Sequence, residues 1–206
     1  MGATGPLAVV LAAGAGRRYG GGVHKLLDDA GGRPLVVRAV LAPLAAGLDV
    51  VVVTGAVELG PVLARHGAGA ARVVVNPAWE EGLAASLAAG VAVARAEGRP
   101  AVVVGLADMP AVDAGDWAAV AAGTATPIAV VRWAGGHRSP PARLERSVWA
   151  DLPAAGDTGA RVLWETRPEL VTEVHRPGSG VDVDTPEDLA RWVAGPDPEG
   201  PIRRER

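Results

Sequence analysis

The chain has 206 residues, 49% of them hydrophobic, and a formal net charge of −3, which suits one α/β domain with a core of its own. It has no cysteine, which excludes disulfides, thiolate metal sites and cysteine nucleophiles, and no long basic run that would indicate a nucleic-acid surface. No secretory leader or membrane-length apolar run is evident, so the expectation is a cytoplasmic enzyme acting without nucleic acid or membrane.

In chain order, Leu7–Leu11 reads as a buried first strand. A glycine-rich loop follows, Leu11-Ala12-Ala13-Gly14-Ala15-Gly16-Arg17-Arg18-Tyr19-Gly20 and on to Lys25. Glycines let backbone N–H groups approach a ligand closely, and arginine forks with a lysine point charge suit phosphate oxygens. The loop therefore reads as a polyphosphate cradle. It lacks the Gly-Lys-Ser/Thr ending of a Walker A loop, and Gly14, Gly16 and Gly20 are spaced one residue too far for a dinucleotide fingerprint. The second strand ends in Thr54-Gly55, without the acid that grips a dinucleotide ribose.

Further along, a helix is expected from Pro34 to about Ala46, a strand over Asp49–Thr54, a helix over Leu59–Arg65 and a strand over Ala71–Val75. A loop spans Asn76–Gly82, and a helix Leu83–Ala96, with Leu83, Leu87 and Val91 on one face. The fourth strand is Ala101–Leu106, a helix follows from Asp116 to Ala122, and the fifth strand is Ile128–Trp133. From Gly135 the alternation breaks: Gly-Gly-His-Arg-Ser-Pro-Pro reads as a long functional loop or an insertion. A short helix near Ser147, a helix over Thr158–Thr166, a strand over Leu170–His175 and a last helix over Pro186–Val193 complete the domain. The strand–helix rhythm predicts a three-layer α/β fold with a mainly parallel sheet over residues 1–194. Residues 195–206 are expected to form a disordered tail.

Asp108 follows the fourth strand, at the end where open parallel sheets place their ligand crevice; the competing reading is a turn-forming Asp before Pro110. In Val181-Asp182-Val183-Asp184 the two acids alternate, about 7 Å apart on one face if extended. With Asp108 they can supply oxygen ligands to a hard divalent cation. Thr185, Pro186 and Asp188 have capping-box spacing. Asp157 can cap a helix starting at Thr158, and Arg161 can meet an anionic second substrate. Asn76, Gly82 and Ser86 surround the start of the helix at Leu83, whose free N–H groups suit a phosphate. His24, His66, His137 and His175 lack metal spacing and read as surface residues. The six tryptophans read as core or interface anchors.

Taken together, the segments resemble the MobA-like NTP transferases over about residues 7–193, most closely the molybdenum cofactor cytidylyltransferase branch. The resemblance rests on Leu11-Ala12-Ala13-Gly14-x-Gly16-x-Arg18-x-Gly20…Lys25, Asn76-Pro77-x-Trp79-x-x-Gly82-x-x-x-Ser86, Leu106-Ala107-Asp108-Met109-Pro110, Gly156-Asp157-x-Gly159-Ala160-Arg161 and Asp182-Val183-Asp184-Thr185-Pro186-Glu187-Asp188. It implies a three-layer αβα Rossmann-like nucleotidyltransferase fold and a Mg2+-dependent transfer of CMP from CTP to a phosphorylated small-molecule acceptor, molybdopterin, with release of pyrophosphate. A molybdenum enzyme is then a transfer partner. By that resemblance Leu11, Ala12, Ala13, Gly14, Gly16, Arg17, Lys25, Asn76, Gly82 and Ser86 bind the nucleotide. Arg18, Lys25 and Asp108 are catalytic, Asp108, Asp182 and Asp184 hold Mg2+, and Asp157 and Arg161 face the acceptor. The chain departs from the family in the longer Gly20–Lys25 span and in Pro140, where relatives carry a polar residue. A guanylyltransferase using GTP, a non-catalytic nucleotide-binding regulator and a dehydrogenase remain as alternatives.

Overall fold

A computed structural model describes residues 5–20 and 22–195. The tail expected at 195–206 lies outside the described residues except for Gly195, as does Gly21 of the loop. Seven strands form one sheet in the order β3-β2-β1-β4-β6-β5-β7: β1 Leu7–Ala12, β2 Asp49–Thr54, β3 Arg72–Val75, β4 Ala101–Leu106, β5 Ile128–Trp133, β6 Arg138–Glu145 and β7 Val171–Arg176. Only β6 runs antiparallel to its neighbours. The helices are α1 Leu35–Ala45, α2 Gly60–Arg65, α3 Leu83–Ala96, α4 Ala114–Ala121, α5 Arg161–Thr166 and α6 Pro186–Ala194.

The period of two in β1 explains the three layers. Ala8, Val10 and Ala12 face one core with Leu35, Val36 and Val40 of α1, Leu63 of α2, Trp117 of α4 and Leu189 of α6. Leu7, Val9 and Leu11 face the other, with Leu87, Val91 and Ala94 of α3 and Leu163 and Trp164 of α5. Small side chains let α3 approach closely: a Cβ on Gly90 would lie 2.3 Å from Cγ1 of Val9. Gly90→Ala is therefore expected to destabilise by about 1–2 kcal/mol, overpacking outweighing the helix-propensity gain. Thermal denaturation would register this as a Tm lower by a few degrees; a raised Tm would contradict the packing.

The segment expected to be a loop or insertion from Gly135 is instead a hairpin leading into an eight-residue strand, β6, wedged between β4 and β5. Its prolines concealed it. Val130 pairs with Ala142 while the adjacent Val131 pairs with Ser139, so Pro140 and Pro141 occupy a bulge where no ladder N–H is required. Other details also differ. Residues 79–81 of the expected Asn76–Gly82 loop form a 3-10 turn. Pro34 takes the cap position of α1 rather than its first turn, with ψ 144°. The helix expected from Thr158 begins at Arg161, because Gly159 has φ +50° and interrupts any earlier turn. Asp157 is accordingly not a helix cap. The capping box of Thr185 with Asp188 is present, and α4 gains one from Asp113 with Asp116. Among the described residues no helix is long and apolar enough to cross a membrane.

Candidate active site

β1 lies between β2 and β4, so the chain reverses its direction of travel across the sheet at this pair. A crevice opens beyond their carboxyl ends, as expected at such a switch point. The glycine loop leaves β1 on one side of it and the Asp108 turn leaves β4 on the other. The cleft has a volume of about 1060 Å³. Leu11, Ala12, Ala13, Gly14, Gly16, Arg17, Arg18, Lys25, Gly82, Ser86, Asp108, Asp157, Arg161, Asp182 and Asp184 all border it. Of the expected nucleotide residues, only Asn76 does not border the cleft. It sits behind the wall, where its Nδ2 donates to Ser86 Oγ at 3.2 Å and its Oδ1 accepts from Ala78 N at 3.0 Å. Its role is to fix Ser86 and the turn leading into α3.

The long Gly20–Lys25 span does not carry Lys25 away. Lys25 opens a 3-10 turn, Lys25–Leu27, whose N-terminal cap is His24. The His24 ring accepts from Leu26 N through Nδ1 at 3.3 Å and, through Nε2, donates to the Gly14 carbonyl at 3.1 Å. The loop thus closes on itself, and the neutral Nε2–H tautomer satisfies both bonds. This half-buried histidine is a clasp, not the surface residue expected. Gly16, at φ +62°, allows the lysine stem to pass; a Cβ there would lie 3.3 Å from Lys25 Cγ.

Burial holds the His24 pKa below its ordinary value of 6.5. A histidine with a depressed folded pKa favours the fold fully above its unfolded pKa and loses that contribution as pH falls through the folded one. Protonation also puts a second N–H on the ring, facing that of Leu26. Thermal stability and nucleotide affinity should therefore decline as pH falls below about 6.5. His24→Gln should flatten that decline in a pH series of thermal shifts; an unchanged profile would remove the clasp.

Lys25 is the hub of the charged groups. Its Nζ donates to Asp108 Oδ2 at 2.7 Å and to the Val183 carbonyl at 3.1 Å, and lies 3.5 Å from Asp184 Oδ1. Arg18 Nη1 reaches Asp184 Oδ2 at 2.9 Å while most of its side chain stays exposed. Arg17 pairs with Glu80 across the cleft mouth at 3.6 Å. Backbone bonds lock the pieces: Ala107 N donates to Leu11 O at 3.0 Å, and Val183 N to Asp108 O at 2.8 Å. Among the described residues Asp108 Oδ1 is buried without a hydrogen-bond partner. Burial raises the Asp108 pKa, Lys25 opposes the rise, and the charge of Asp182 adds to it.

The expected metal trio of Asp108, Asp182 and Asp184 shares the cleft but is not gathered into one coordination shell. Among the described residues no three carboxylate or histidine side chains come together to hold a cation. The lysine ammonium sits between Asp108 and Asp184 instead. The oxygen-only donor set and the orphaned Oδ1 nevertheless fit a hard divalent cation.

The start of α3 is less open to a phosphate than its sequence implies, because Ala84 N is taken by the Gly156 carbonyl at 2.9 Å. Gly82, at φ +103°, makes that docking possible; a Cβ would lie 2.7 Å from the Gly156 carbonyl carbon and oxygen. Docking brings Asp157 to the cleft wall. Sequence reasoning also passed over Tyr19, Trp79 and Arg138, all of which border the cleft. Tyr19 is buried and donates to Asp28 Oδ2 at 2.7 Å. Trp79 packs over Gly55, where a Cβ would fall 2.5 Å from its own.

Known proteins resemble the chain over most of its length. The chain is 32% identical over 211 residues to nicotine blue oxidoreductase from Paenarthrobacter nicotinovorans, covering 90% of this chain and 95% of that protein. Among solved structures it resembles Rv0371c from Mycobacterium tuberculosis H37Rv, with TM-score 0.77, 27% identity and coverage of 93% of this chain and 98% of that one. A complex of Rv0371c with manganese has also been solved. A nucleotidyl transferase from Methanothermobacter aligns with TM-score 0.76 and 27% identity, covering 93% and 97% of the two chains. The family model for the MobA-like NTP transferase domain matches residues 8–172, and the chain belongs to that family.

Proposed function

We propose that the protein transfers CMP from CTP to a phosphorylated small-molecule acceptor, with molybdopterin the favoured acceptor, and releases pyrophosphate. The observation that carries this reading is the Lys25 hub, which joins the glycine loop, the Asp108 turn and the Asp184 segment in one cleft. Such a set of charges suits phosphoryl chemistry, which needs positioning and charge stabilisation more than covalent catalysis. Arg18 and Lys25 bind the triphosphate oxygens, exchanging their carboxylate partners for phosphate. The loop backbone from Ala13 to Gly16 approaches the nucleotide, and Ser86, held by Asn76, offers a hydroxyl beside it. An acceptor phosphate oxygen then attacks the α-phosphorus, the bond to the β-phosphate breaks, and the leaving pyrophosphate stays paired with Arg18 and Lys25. Asp108, Asp182 and Asp184 would hold Mg2+, which when bound supplies positive charge against the phosphates. Asp157 and Arg161 face the acceptor, and the resulting cofactor would pass to a molybdenum enzyme.

CTP is preferred to GTP on the resemblance of the Asn76–Ser86 and Gly156–Arg161 segments to the cytidylyl branch. A thermal-shift panel of CTP, GTP and ATP with Mg2+ tests the choice: CTP should stabilise most, and stronger stabilisation by GTP would overturn the base assignment. A second reading, redox chemistry on nicotine blue, is favoured by the relative named nicotine blue oxidoreductase. Oxidation of NADH or NADPH in the presence of nicotine blue would support it. The absence of an acid after Thr54 weighs against a dinucleotide.

A further inference from the structure

We infer that Arg138 is the anion anchor of the acceptor half of the cleft, and that the acceptor it takes is a phosphomonoester on a flat or apolar body. The term acceptor rests on the nucleotidyl-transfer reading above.

Among the described residues, four cationic side chains besides Lys25 border the cleft: Arg17, Arg18, Arg138 and Arg161. The first two belong to the nucleotide loop and pair with Glu80 and Asp184. Arg161 donates its Nε to Glu165 at 2.6 Å, one turn along its own helix, and its side chain is 68% exposed. Its charge is matched and its fork is held along α5.

Arg138 differs on each count. It stands where β6 runs past its last pairing with β4, Val104 with Ala142, so it emerges at the crevice end of the sheet. Its side chain is 30% exposed, and Nη1 donates to the Trp164 carbonyl at 3.2 Å. Among the described residues the one acid that pairs with it is Glu173, 3.7 Å from Nε, which is beyond hydrogen-bond length. Both oxygens of Glu173 already accept from Arg132 Nη1, at 3.1 and 3.2 Å. Two guanidiniums thus share one carboxylate, and among the described residues one positive charge at this corner is left without a counter-ion. Arg132 does not border the cleft, whereas Arg138 does. Among the described residues only one of the five N–H groups of Arg138 is spent, so a fork remains for a tetrahedral dianion.

The adjoining wall is apolar, formed by Pro140, Ala142, Trp164, Leu87 and Val104. Ser139 adds no free hydroxyl, since its Oγ accepts from Trp133 Nε1 at 2.7 Å and faces the Pro140 and Gly180 carbonyls. A phosphate beside such a wall calls for a ligand with an apolar or aromatic body.

The test is calorimetric titration of phenyl phosphate, methyl phosphate and benzoate into wild type, R138Q, R138K and R161Q, with CTP and Mg2+ filling the nucleotide half. Glutamine keeps a donor for the Trp164 carbonyl, and R138K carries the test if R138Q fails to fold. Phenyl phosphate should bind more tightly than methyl phosphate. R138Q should weaken it at least tenfold and R138K severalfold, R161Q should weaken it less than R138Q because Glu165 already matches its charge, and CTP stabilisation in R138Q should be unchanged. Undiminished binding to R138Q or R138K, equal loss in R161Q, or no binding to wild type would overturn the assignment. Benzoate binding more tightly than phenyl phosphate would overturn the phosphate class. If no nucleotide binds, the nucleotidyl-transfer reading fails separately. Phenyl phosphate titrated into nucleotide-free R138Q and R18Q then still decides the anchor, and a loss confined to R18Q overturns it.

Discussion

Asp108→Asn is expected to lower kcat by at least about 100-fold, the scale on which a lost electrostatic group is felt at a reacting centre. The substitution preserves volume and leaves the Val183 N to Asp108 O backbone bond in place. What it removes is charge: the partner of Lys25 Nζ at 2.7 Å and an oxygen donor suited to a divalent cation. The same variant should fold as well as wild type or better. Burial already pushes the Asp108 carboxyl toward its neutral form, so a neutral amide relieves a desolvation cost. Loss of turnover with Tm held or raised is thus the signature, read from pyrophosphate release beside a melting curve. Near-normal turnover would falsify the assignment of Asp108.

Lys25→Ala is expected to have the opposite balance, losing both activity and stability. Removing Nζ leaves the nucleotide phosphates one cation short, and kcat/KM for the NTP should fall about 100-fold or more. It also strands the carboxylates of Asp108 and Asp184. The lysine and Asp108 side chains are only 12% and 20% exposed, so the fold should lose about 1–3 kcal/mol, less than for a wholly buried pair. Lys25→Arg should not restore activity, because a planar fork cannot take the place of a point charge among three oxygens. Combining Lys25→Ala with Asp108→Asn should recover part of the lost stability, since the amide takes away the carboxylate that the missing ammonium leaves unpaired. An unchanged kcat/KM in Lys25→Ala would take the lysine out of the site.

How much of this was legible in the sequence depended on whether the signal was local. β1, β2, β4, β5 and α3 were readable because apolar runs and helical spacing lie within a few residues. The cradle loop and the Asp108 turn were readable because each directly follows a recognisable strand. β6 was not, since Arg138-Ser139-Pro140-Pro141 carries the residues of a loop and only the neighbouring strands β4 and β5 make it a strand. Asp157 looked like a cap because nothing local announces that Gly159 adopts positive φ. His24 looked like a surface residue because its partner, the Gly14 carbonyl, is a backbone atom ten residues away. The ammonium between Asp108 and Asp184 depends on contacts across 83 and 159 positions of the chain, which no local pattern encodes.

The central claim is transfer of a nucleotidyl group to a phosphorylated acceptor. It is tested most directly by incubating the protein and Mg2+ with α-labelled CTP, GTP or ATP and molybdopterin, then measuring label on the acceptor and pyrophosphate released. The account predicts equal amounts of both with CTP, abolished in Asp108→Asn. Pyrophosphate without label on the acceptor, or neither product with any nucleotide, would contradict it.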